Sequence, residues 1–348
     1  MELPIDFRKG KGPSRGAEFS KGVKKSLTAW AYIAPAGLLM AIITFLPQAY
    51  QIWMAFTDYG IRNLRFNLLN PETAKFAPNI VGLANFVDIL TNNIAIQNYD
   101  FWRLLLFNIV WTISNLVFHV SLGVLIALAL NSKKLIGRRV YRALFVLPWA
   151  IPGYIAALTW RNMFDDRFGA INQLIGVINN WVGTSLPTNT QWLTNAVPPI
   201  GGILSFLPLA FYCLLVTNIW LGWPFMMVVA TGALQSIPSE LYEAAEMDGA
   251  TGLQKFWSVT VPMIRPAMVP AIMLGTIWTF NNFNVIYFIT QGGPFGETQI
   301  LVTQAFNLVY NQRLYGVAAA FSIVVFCVLF IITMINNRIT KATEAYNA

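Results

Sequence analysis

Residues 104–130 read LLLFNIVWTISNLVFHVSLGVLIALAL, and this stretch decides the fold. It contains no Asp, Glu, Lys or Arg, and it is longer than the ~20 residues that an α-helix needs to cross a bilayer. Its apolar residues do not alternate with polar ones, as they would in a strand of a membrane barrel. Because the hydrocarbon core offers no water to backbone groups, the stretch is predicted to be a transmembrane helix.

Five further apolar blocks flank this stretch. The chain has 56% hydrophobic and 11% charged residues, whereas a soluble domain has about 25% charged residues. The six blocks are residues 29–57, 104–130, 141–164, 203–234, 267–289 and 315–335. The first block is too long for the apolar region of a signal peptide, and residues 200–235 are interpreted as one long helix rather than two short ones. We therefore predict an all-α integral membrane protein with about six transmembrane helices.

The net charge of +8 is distributed unevenly along the chain. Sixteen of the 23 Lys and Arg residues lie before the first block, in the tail, or in the loops after the second and fourth blocks. The positive-inside rule therefore places both termini in the cytoplasm and leaves no need for nucleic-acid binding. Inside the blocks, His119 is the one ionisable side chain away from the ends, and Cys213 and Cys327 form no CxxC pair. No catalytic or metal-ligating residue is predicted, which disfavours a proton-coupled secondary carrier and a membrane-embedded enzyme.

The cytoplasmic loop after the fourth block has strong local helix signals. Residues 239–250 read SELYEAAEMDGA, which predicts a short helix with Ser239 as N-cap and Gly249 just past its end. Residues 251–254, TGLQ, form a capping box that opens a second short helix, expected to stop before Pro262. The small pair Ala244 and Ala245 among acidic residues would let another protein approach the helix closely, which suits a docking surface, and a merely solvated helix is the alternative.

A family resemblance becomes specific in this loop. Its pattern is Glu243-Ala244-Ala245, three residues, Gly249, nine residues, then Val259-Thr260-Val261-Pro262. This resembles the EAA loop of ABC-importer permeases, whose pattern ends Ile-x-Leu-Pro. The resemblance implies a coupling helix that sits in a cleft of an ATP-hydrolysing subunit. The residues assigned to it are Glu243, Ala244, Ala245, Asp248, Gly249 and Pro262.

The resemblance covers residues 29 to 348 and is greatest for the F-type permeases of maltose and oligosaccharide importers. The segments WLT (192–194), WLGWPF (220–225), FNNF (280–283) and TQGGP (290–294) fit that pattern. The chain lacks the very large domain that some members insert between the third and fourth spans. The resemblance implies a type I, MetI-like permease fold and four regions. These are a basic cytoplasmic segment (1–28), a first helix with a periplasmic segment (29–103), a permease core (104–337) with its coupling loop (236–265), and a cytoplasmic tail (338–348).

The substrate is expected between the fourth and fifth helices. Trp220 and Asn281 each lie fifteen residues outward from the cytoplasmic end of their helix, or ~22 Å at 1.5 Å per residue. Pro224 is expected to kink the fourth helix beside Trp220. By resemblance the contact residues are Trp220, Gly222, Phe225 and Asn282, followed by Asn281 and Thr279. The alternative is that these groups hold helices together, the role expected for Asn284, and His119 is interpreted as a packing residue.

The partners and cofactors follow from the same resemblance. No G-x-x-x-x-G-K-[ST] segment occurs, so ATP and Mg are expected on separate ATPase subunits and no cofactor on this chain. The expected partners are a second homologous permease, an ABC ATPase dimer at the cytoplasmic face, a periplasmic or lipid-anchored sugar-binding protein, and membrane lipid. A neutral sugar of the maltose, trehalose or oligosaccharide type is expected to cross a bacterial inner membrane. A polyol or glycerol phosphate is the alternative solute.

Overall fold

The computed structural model describes residues 15–67, 69–132 and 135–340. Within these ranges the chain is helical, and its β-structure is limited to one isolated antiparallel bridge between Thr57 and Ile80. This confirms the predicted all-α class. Residues 1–14 and 341–348, with Lys133 and Lys134, lie outside the described residues, and so does much of the predicted basic segment and tail.

Fourteen α-helices occur in the described residues. They are α1 (Arg15–Met40), α2 (Leu46–Ala55), α3 (Ala84–Leu90), α4 (Phe101–Asn131), α5 (Arg138–Ala150), α6 (Gly153–Met163), α7 (Ala170–Val182), α8 (Leu209–Gln235), α9 (Ser239–Met247), α10 (Gly252–Lys255), α11 (Val261–Phe280), α12 (Phe283–Thr290), α13 (Leu301–Tyr310) and α14 (Tyr315–Thr340). Short 3₁₀ helices lie at Ile61–Arg65, Pro71–Phe76 and Gly202–Leu204.

Five helical stretches of the described chain are long and apolar enough to cross a membrane. They cover Ala29–Ala55, Phe101–Asn131, Leu209–Gln235, Gly252–Thr290 and Tyr315–Arg338, and the bent pair of α5 and α6 makes a sixth if it counts as one span. These positions match the six predicted blocks. Residues 200–235 contain one spanning helix, as predicted, and this helix begins only at Leu209 and continues through Pro224.

The third block is not the single helix that the sequence suggested. Its two halves, α5 and α6, are bent by 89° at Ile151 and Pro152. Ile151 has extended backbone angles (φ −79°, ψ 131°), and so has Pro152 (φ −54°, ψ 127°). A residue before proline is disfavoured in the helical region because the proline ring clashes with it. The bend is therefore encoded by Pro152, which the hydropathy of the block did not reveal.

Two π-helical turns each lie just before a proline in the chain. Ala41–Phe45 comes before Pro47, within the unit formed by residues up to Met54, and Phe256–Thr260 comes before Pro262. In both turns the next N–H bonds five residues back, so the helix widens just ahead of a proline that cannot donate. The predicted helix stop before Pro262 is therefore wrong, since α10, the π turn and α11 form one continuous helix.

The centre of the unit formed by residues 55–348 is the packing of α4 against α8, with α11 lying on both. The backbones approach closely because Gly123 of α4 faces α8. A Cβ on Gly123 would come within 2.6 Å of the Met226 Cβ, and one on Gly275 of α11 within 2.7 Å of the Met226 Cε. Small residues at such crossings are the usual basis of helix packing in membranes. This three-helix contact holds the residues described next.

Candidate functional site

A cavity of about 220 Å³ lies inside the membrane region. It is enclosed by α4, α8, the junction between α11 and α12, and the bend between α5 and α6. Its walls are formed by His119, Trp149, Ile151, Gly153, Asn218, Leu221, Gly222, Phe225, Met226, Gly275, Trp278, Thr279, Asn282, Asn284 and Val285. None of these described lining residues is Asp, Glu, Lys or Arg, so the cavity offers rings, amides and one imidazole.

One wall of the cavity is aromatic. The Phe225 ring centroid lies 5.7 Å from that of Trp149 and 5.2 Å from that of Trp278. The three rings come from α5, α8 and α11, so three helices contribute to one apolar surface. Aromatic faces suit the C–H face of a sugar ring, while the opposite wall supplies the polar groups.

The polar wall is formed by the amides of Asn218 and Asn282, which are joined by hydrogen bonds to a third amide, Asn115 of α4. Asn282 Nδ2 donates to Asn218 Oδ1 at 2.6 Å, and Asn218 Nδ2 donates to Asn115 Oδ1 at 2.7 Å. Asn115 Nδ2 ends the chain on the Trp111 carbonyl at 2.8 Å. Asn282 also caps α12, because its Oδ1 accepts from the Val285 N–H at 3.3 Å. Each Nδ2 carries a second hydrogen, which leaves Asn218 and Asn282 able to donate into the cavity.

The amide chain lies where the fifth membrane helix is interrupted. Helix α11 ends at Phe280 and α12 begins at Phe283, so the predicted single span 267–289 has a break at Asn281 and Asn282. Two α4 side chains satisfy carbonyls exposed by this break. Trp111 Nε1 donates to the Thr279 carbonyl at 3.1 Å, and Asn108 Nδ2 to the Phe280 carbonyl at 3.2 Å. Broken helices of this kind are common at transporter binding sites.

His119 packs directly on Gly222. Its Nε2 lies 2.9 Å from the Asn218 carbonyl, and the residue is 4% exposed. A Cβ on Gly222 would collide with the imidazole, lying 2.7 Å from Nδ1 and closer still to Cε1 and Nε2. The glycine therefore lets the imidazole reach the α8 backbone, and the hydrogen-bonded packing proposed for His119 occurs at the edge of the cavity.

Four of the six substrate residues suggested by the sequence line the cavity, namely Gly222, Phe225, Thr279 and Asn282. The other two do not. The Trp220 ring packs edge-on against Trp160 of α6 at 5.9 Å, and the Asn281 amide donates to the Ile277 carbonyl of its own helix at 3.2 Å. Direct sugar contact by these six residues remains a prediction.

The angular position of each residue around its helix explains why Gly222 and Phe225 line the cavity and Trp220 does not. At 100° per residue, Trp220 points almost opposite to Gly222, although both lie at a similar membrane depth. The spacing of Asn218, Gly222 and Phe225 is that of one helix face. Applied to the sequence, this spacing would have found Asn218. Trp149 and Asn284, by contrast, reach the cavity through the bend and the break, for which hydropathy gave no signal.

The loop of α9 and α10, predicted to be cytoplasmic, has two of the three caps that the sequence predicted. The N-cap of α9 is Pro238, and the Ser239 side chain makes no cap hydrogen bond, so the Ser239 prediction is wrong. Extended angles at Pro238, fixed largely by its ring, already place the chain at a helix start. At the other end Gly249 has φ +77°, and the N–H groups of Gly249 and Ala250 bond back to Glu246 and Ala245, which is a Schellman motif. The capping box of Thr251 and Gln254 is also present.

The outward face of this loop is acidic and exposed. Glu243, Ala244 and Asp248 are exposed. Two side-chain contacts hold α9 against the helix that follows it. Tyr242 Oη lies 3.0 Å from Thr260 Oγ1, and Lys255 Nζ lies 2.6 Å from Glu246 Oε1. The hydrogen bond from Lys255, aided by its charge, lowers the pKa of the Glu246 carboxyl. The negative charge is thus retained on a preformed surface.

Comparison with protein families gives one match that includes both sites. The family described as binding-protein-dependent transport system inner membrane component matches residues 119–341. This range contains the loop, the broken helix and all the residues that line the cavity.

Curated relatives match over most of the chain. The maltodextrin transport system permease protein MdxF of Bacillus subtilis is 31% identical over 326 residues, which are 90% of this chain and 69% of that protein. The galactooligosaccharides transport system permease protein GanP of the same organism is 33% identical over 88% of this chain and 69% of its own length. The trehalose/maltose transport system permease protein MalF of Thermococcus litoralis is 32% identical over 75% of this chain and 80% of its own length.

A solved structure has the same fold. A chain in the crystal structure of a bacterial ABC transporter involved in the import of the acidic polysaccharide alginate matches with a TM-score of 0.71. The match covers 93% of this chain and 98% of the other at 21% identity. The helices described above therefore have the ABC-importer permease fold, as predicted.

Proposed function

We propose that this chain, which belongs to the family of inner membrane components of binding-protein-dependent transport systems, carries a neutral sugar across the membrane. It is a multi-pass membrane permease. The proposal adds the solute, the path through the cavity beside Asn282, and the source of energy.

The observation that carries the proposal is the chemistry of the membrane cavity. It combines the aromatic wall of Trp149, Phe225 and Trp278 with the amides of Asn218 and Asn282. Rings and neutral amides match the two faces of a sugar, which are apolar C–H groups and hydroxyls. No described lining residue is Lys or Arg to balance a phosphate or a carboxylate. This favours a neutral sugar over glycerol phosphate.

The relatives support the same solute class. Their names assign maltodextrin, galactooligosaccharides, and trehalose or maltose to permeases about one third identical to this chain. We propose maltose, trehalose or a short oligosaccharide of this kind, with a polyol as the second candidate because it offers hydroxyls without an apolar ring face. The cavity of about 220 Å³ holds only part of an oligosaccharide, since whole ligands commonly occupy 300–1,000 Å³.

We propose that energy enters through α9. Its exposed Glu243 and Ala244 and the turn at Gly249 would contact an ATPase subunit, which would bind ATP and Mg. The continuous helix from Gly252 to Phe280 joins this surface to the cavity and would transmit the displacement. The remaining proposed partners are a second permease, a second ATPase and an external sugar-binding protein. The proposed location is a bacterial inner membrane with both termini in the cytoplasm.

The test is uptake by the complex purified through a tag on this chain and reconstituted in liposomes. Labelled maltose, trehalose, maltotriose, sorbitol and glycerol 3-phosphate are supplied outside, with ATP or a non-hydrolysable analogue inside. We expect ATP-dependent uptake of one of the sugars and its loss in Asn282→Ala. Uptake without ATP would identify a secondary carrier, and exclusive uptake of glycerol 3-phosphate would refute the neutral-solute proposal.

A further inference from the structure

A second, larger cavity lies at the other end of α4, on the predicted external side. Its volume is about 540 Å³, within the range typical of ligand pockets. It is formed by the segment before α4, the loop between α12 and α13, and α13 itself. Its lining includes Asn98, Arg103, Glu297, Gln299, Gln304 and Gln312.

This outer cavity is separate from the membrane cavity. On α4 the outer cavity reaches as far as Phe107 and the membrane cavity begins at His119, an interval of twelve positions or ~18 Å. The interval is filled by a packed core in which Phe107 and Trp111 contact Phe211, with ring centroids 5.7 and 6.3 Å apart. The two cavities share no lining residue. A ligand of the outer cavity would therefore bind before it reaches the path through the membrane.

Two glutamine side chains in the outer cavity lack partners. Gln304 is only 6% exposed, yet within the described chain its amide makes no hydrogen bond, and it faces the cavity. Gln299 Oε1 is also buried without a partner among the described atoms. A fully buried polar atom without a partner costs ~1–3 kcal/mol, which applies to Gln299 Oε1, whereas the polar atoms of the Gln304 amide are open to the cavity. Gln304 can both donate and accept, as a hydroxyl ligand requires.

Each charged side chain that lines the outer cavity already has a partner among the described residues. Arg103 Nη2 and Glu297 Oε1 form an ion pair at 3.1 Å. Asp100 is occupied as the N-cap of α4, accepting from the N–H groups of Trp102 and Arg103 at 2.9 and 3.2 Å. No described cation remains for an anionic ligand. The Phe295 ring, 76% exposed at the rim, offers an apolar face.

From these observations we propose that the outer cavity is a saccharide subsite, in which Gln304 and Gln299 bond sugar hydroxyls and Phe295 lies against the sugar ring. The site rests on the proposed sugar transport and deepens it. It would hold a sugar at the entrance, or the outer units of an oligosaccharide, before the membrane cavity admits one unit.

The test is protection of an engineered cysteine from a membrane-impermeant maleimide. Gln312 is exposed and lines the cavity, whereas its exposed neighbour Asn311 does not, so Gln312→Cys is the probe and Asn311→Cys its matched control. The complex in liposomes is labelled with and without maltose, trehalose or maltotriose. At a sugar concentration three times the Kd, mass action predicts about fourfold slower labelling of the probe and no change in the control.

A second substitution in the Gln312→Cys background shows which residues the protection by sugar depends on. Gln304→Leu in the probe background should abolish protection, while Gln173→Leu, at an exposed external glutamine, and Asn282→Ala should leave it intact. If sugars are taken up but none protects the probe, this inference fails and the proposed function stands. If no sugar is taken up, the proposed function itself fails. Protection by binding protein without sugar would overturn the subsite and identify a protein contact instead.

Discussion

Replacing Gly222 with alanine should destabilise the chain through His119. The new Cβ would overlap the imidazole, so the ring must move and lose the hydrogen bond to the Asn218 carbonyl. Overpacking costs ~1–3 kcal/mol and the lost hydrogen bond about 1 kcal/mol, while the helix gains about 1 kcal/mol from alanine. The net expectation is a loss of about 1–3 kcal/mol, with reduced sugar uptake because both residues line the cavity.

The control is Gly232→Ala in the same helix. Nothing lies within 4 Å of a Cβ at Gly232, so this variant should keep the helix gain of about 1 kcal/mol and full uptake. The two alanine variants should therefore differ by about 2–4 kcal/mol. Unfolding by SDS titration in mixed micelles, together with uptake in liposomes, measures both effects.

A double variant separates the proposed cause from general damage. In His119→Ala the ring is gone, so Gly222→Ala should then keep only the helix gain of about 1 kcal/mol, giving a coupling free energy of about 2–4 kcal/mol. If Gly222→Ala unfolds like Gly232→Ala, or if the two changes simply add, the contact between His119 and Gly222 does not limit this position and the reasoning is refuted.

Three further predictions concern the break and the loop. Asn282→Ala removes the α12 cap, worth ~1 kcal/mol, and takes the donor away from Asn218 Oδ1, although Asn218 Nδ2 keeps its bond to Asn115. We expect reduced stability and uptake, with little change in Asn281→Ala, whose amide bonds only its own helix. Gly249→Ala forces an alanine to φ +77°, which costs ~1–2 kcal/mol and strains the turn after α9. We expect it to lower the amount of sugar taken up per ATP hydrolysed. Gly252→Ala, with nothing within 4 Å of the new Cβ, should not. Glu243→Lys reverses an exposed charge and should reduce sugar-stimulated ATPase activity while sugar binding is retained; unchanged ATPase activity would contradict docking at this surface.

Features governed by local chemistry were predictable from the sequence. The apolar blocks located the spans, and both the glycine stop at Gly249 and the capping box at Thr251 involve only neighbouring residues. The error at Ser239 had a local cause as well, because Pro238 already fixes the helix start. The continuation of the helix through Pro262 depends on a π turn, whose widened hydrogen bonding leaves no signature in hydropathy.

The interruption at Asn281 and Asn282 could not be predicted in this way. It is stabilised by hydrogen bonds from Trp111 to the Thr279 carbonyl and from Asn108 to the Phe280 carbonyl. These partners are 168 and 172 positions apart in the chain. The segment 267–289 has one local signal for a new helix start, the preference of asparagine for the N-cap position at Asn282, and this signal alone does not require a break. Membership of the cavity depends on the same long-range contacts. For Trp220 the depth along the helix was predicted, and the direction of its side chain would have followed from its helical angle relative to Gly222.

The two ends of the helix from Gly252 to Phe280 are built differently. Near the cytoplasmic loop, Pro262, Pro266 and Pro270 remove backbone donors, and the π turn widens the helix. Helices bend most easily at such positions. Near the cavity, by contrast, the side chains of Trp111 and Asn108 on α4 bond the last carbonyls of α11, and the amide chain holds Asn282, the N-cap of α12. A push on α9 should therefore bend the proline-rich end and move the cavity end as a unit. The sugar contacts would then change together, because Thr279 and Asn282 lie on either side of one anchored break.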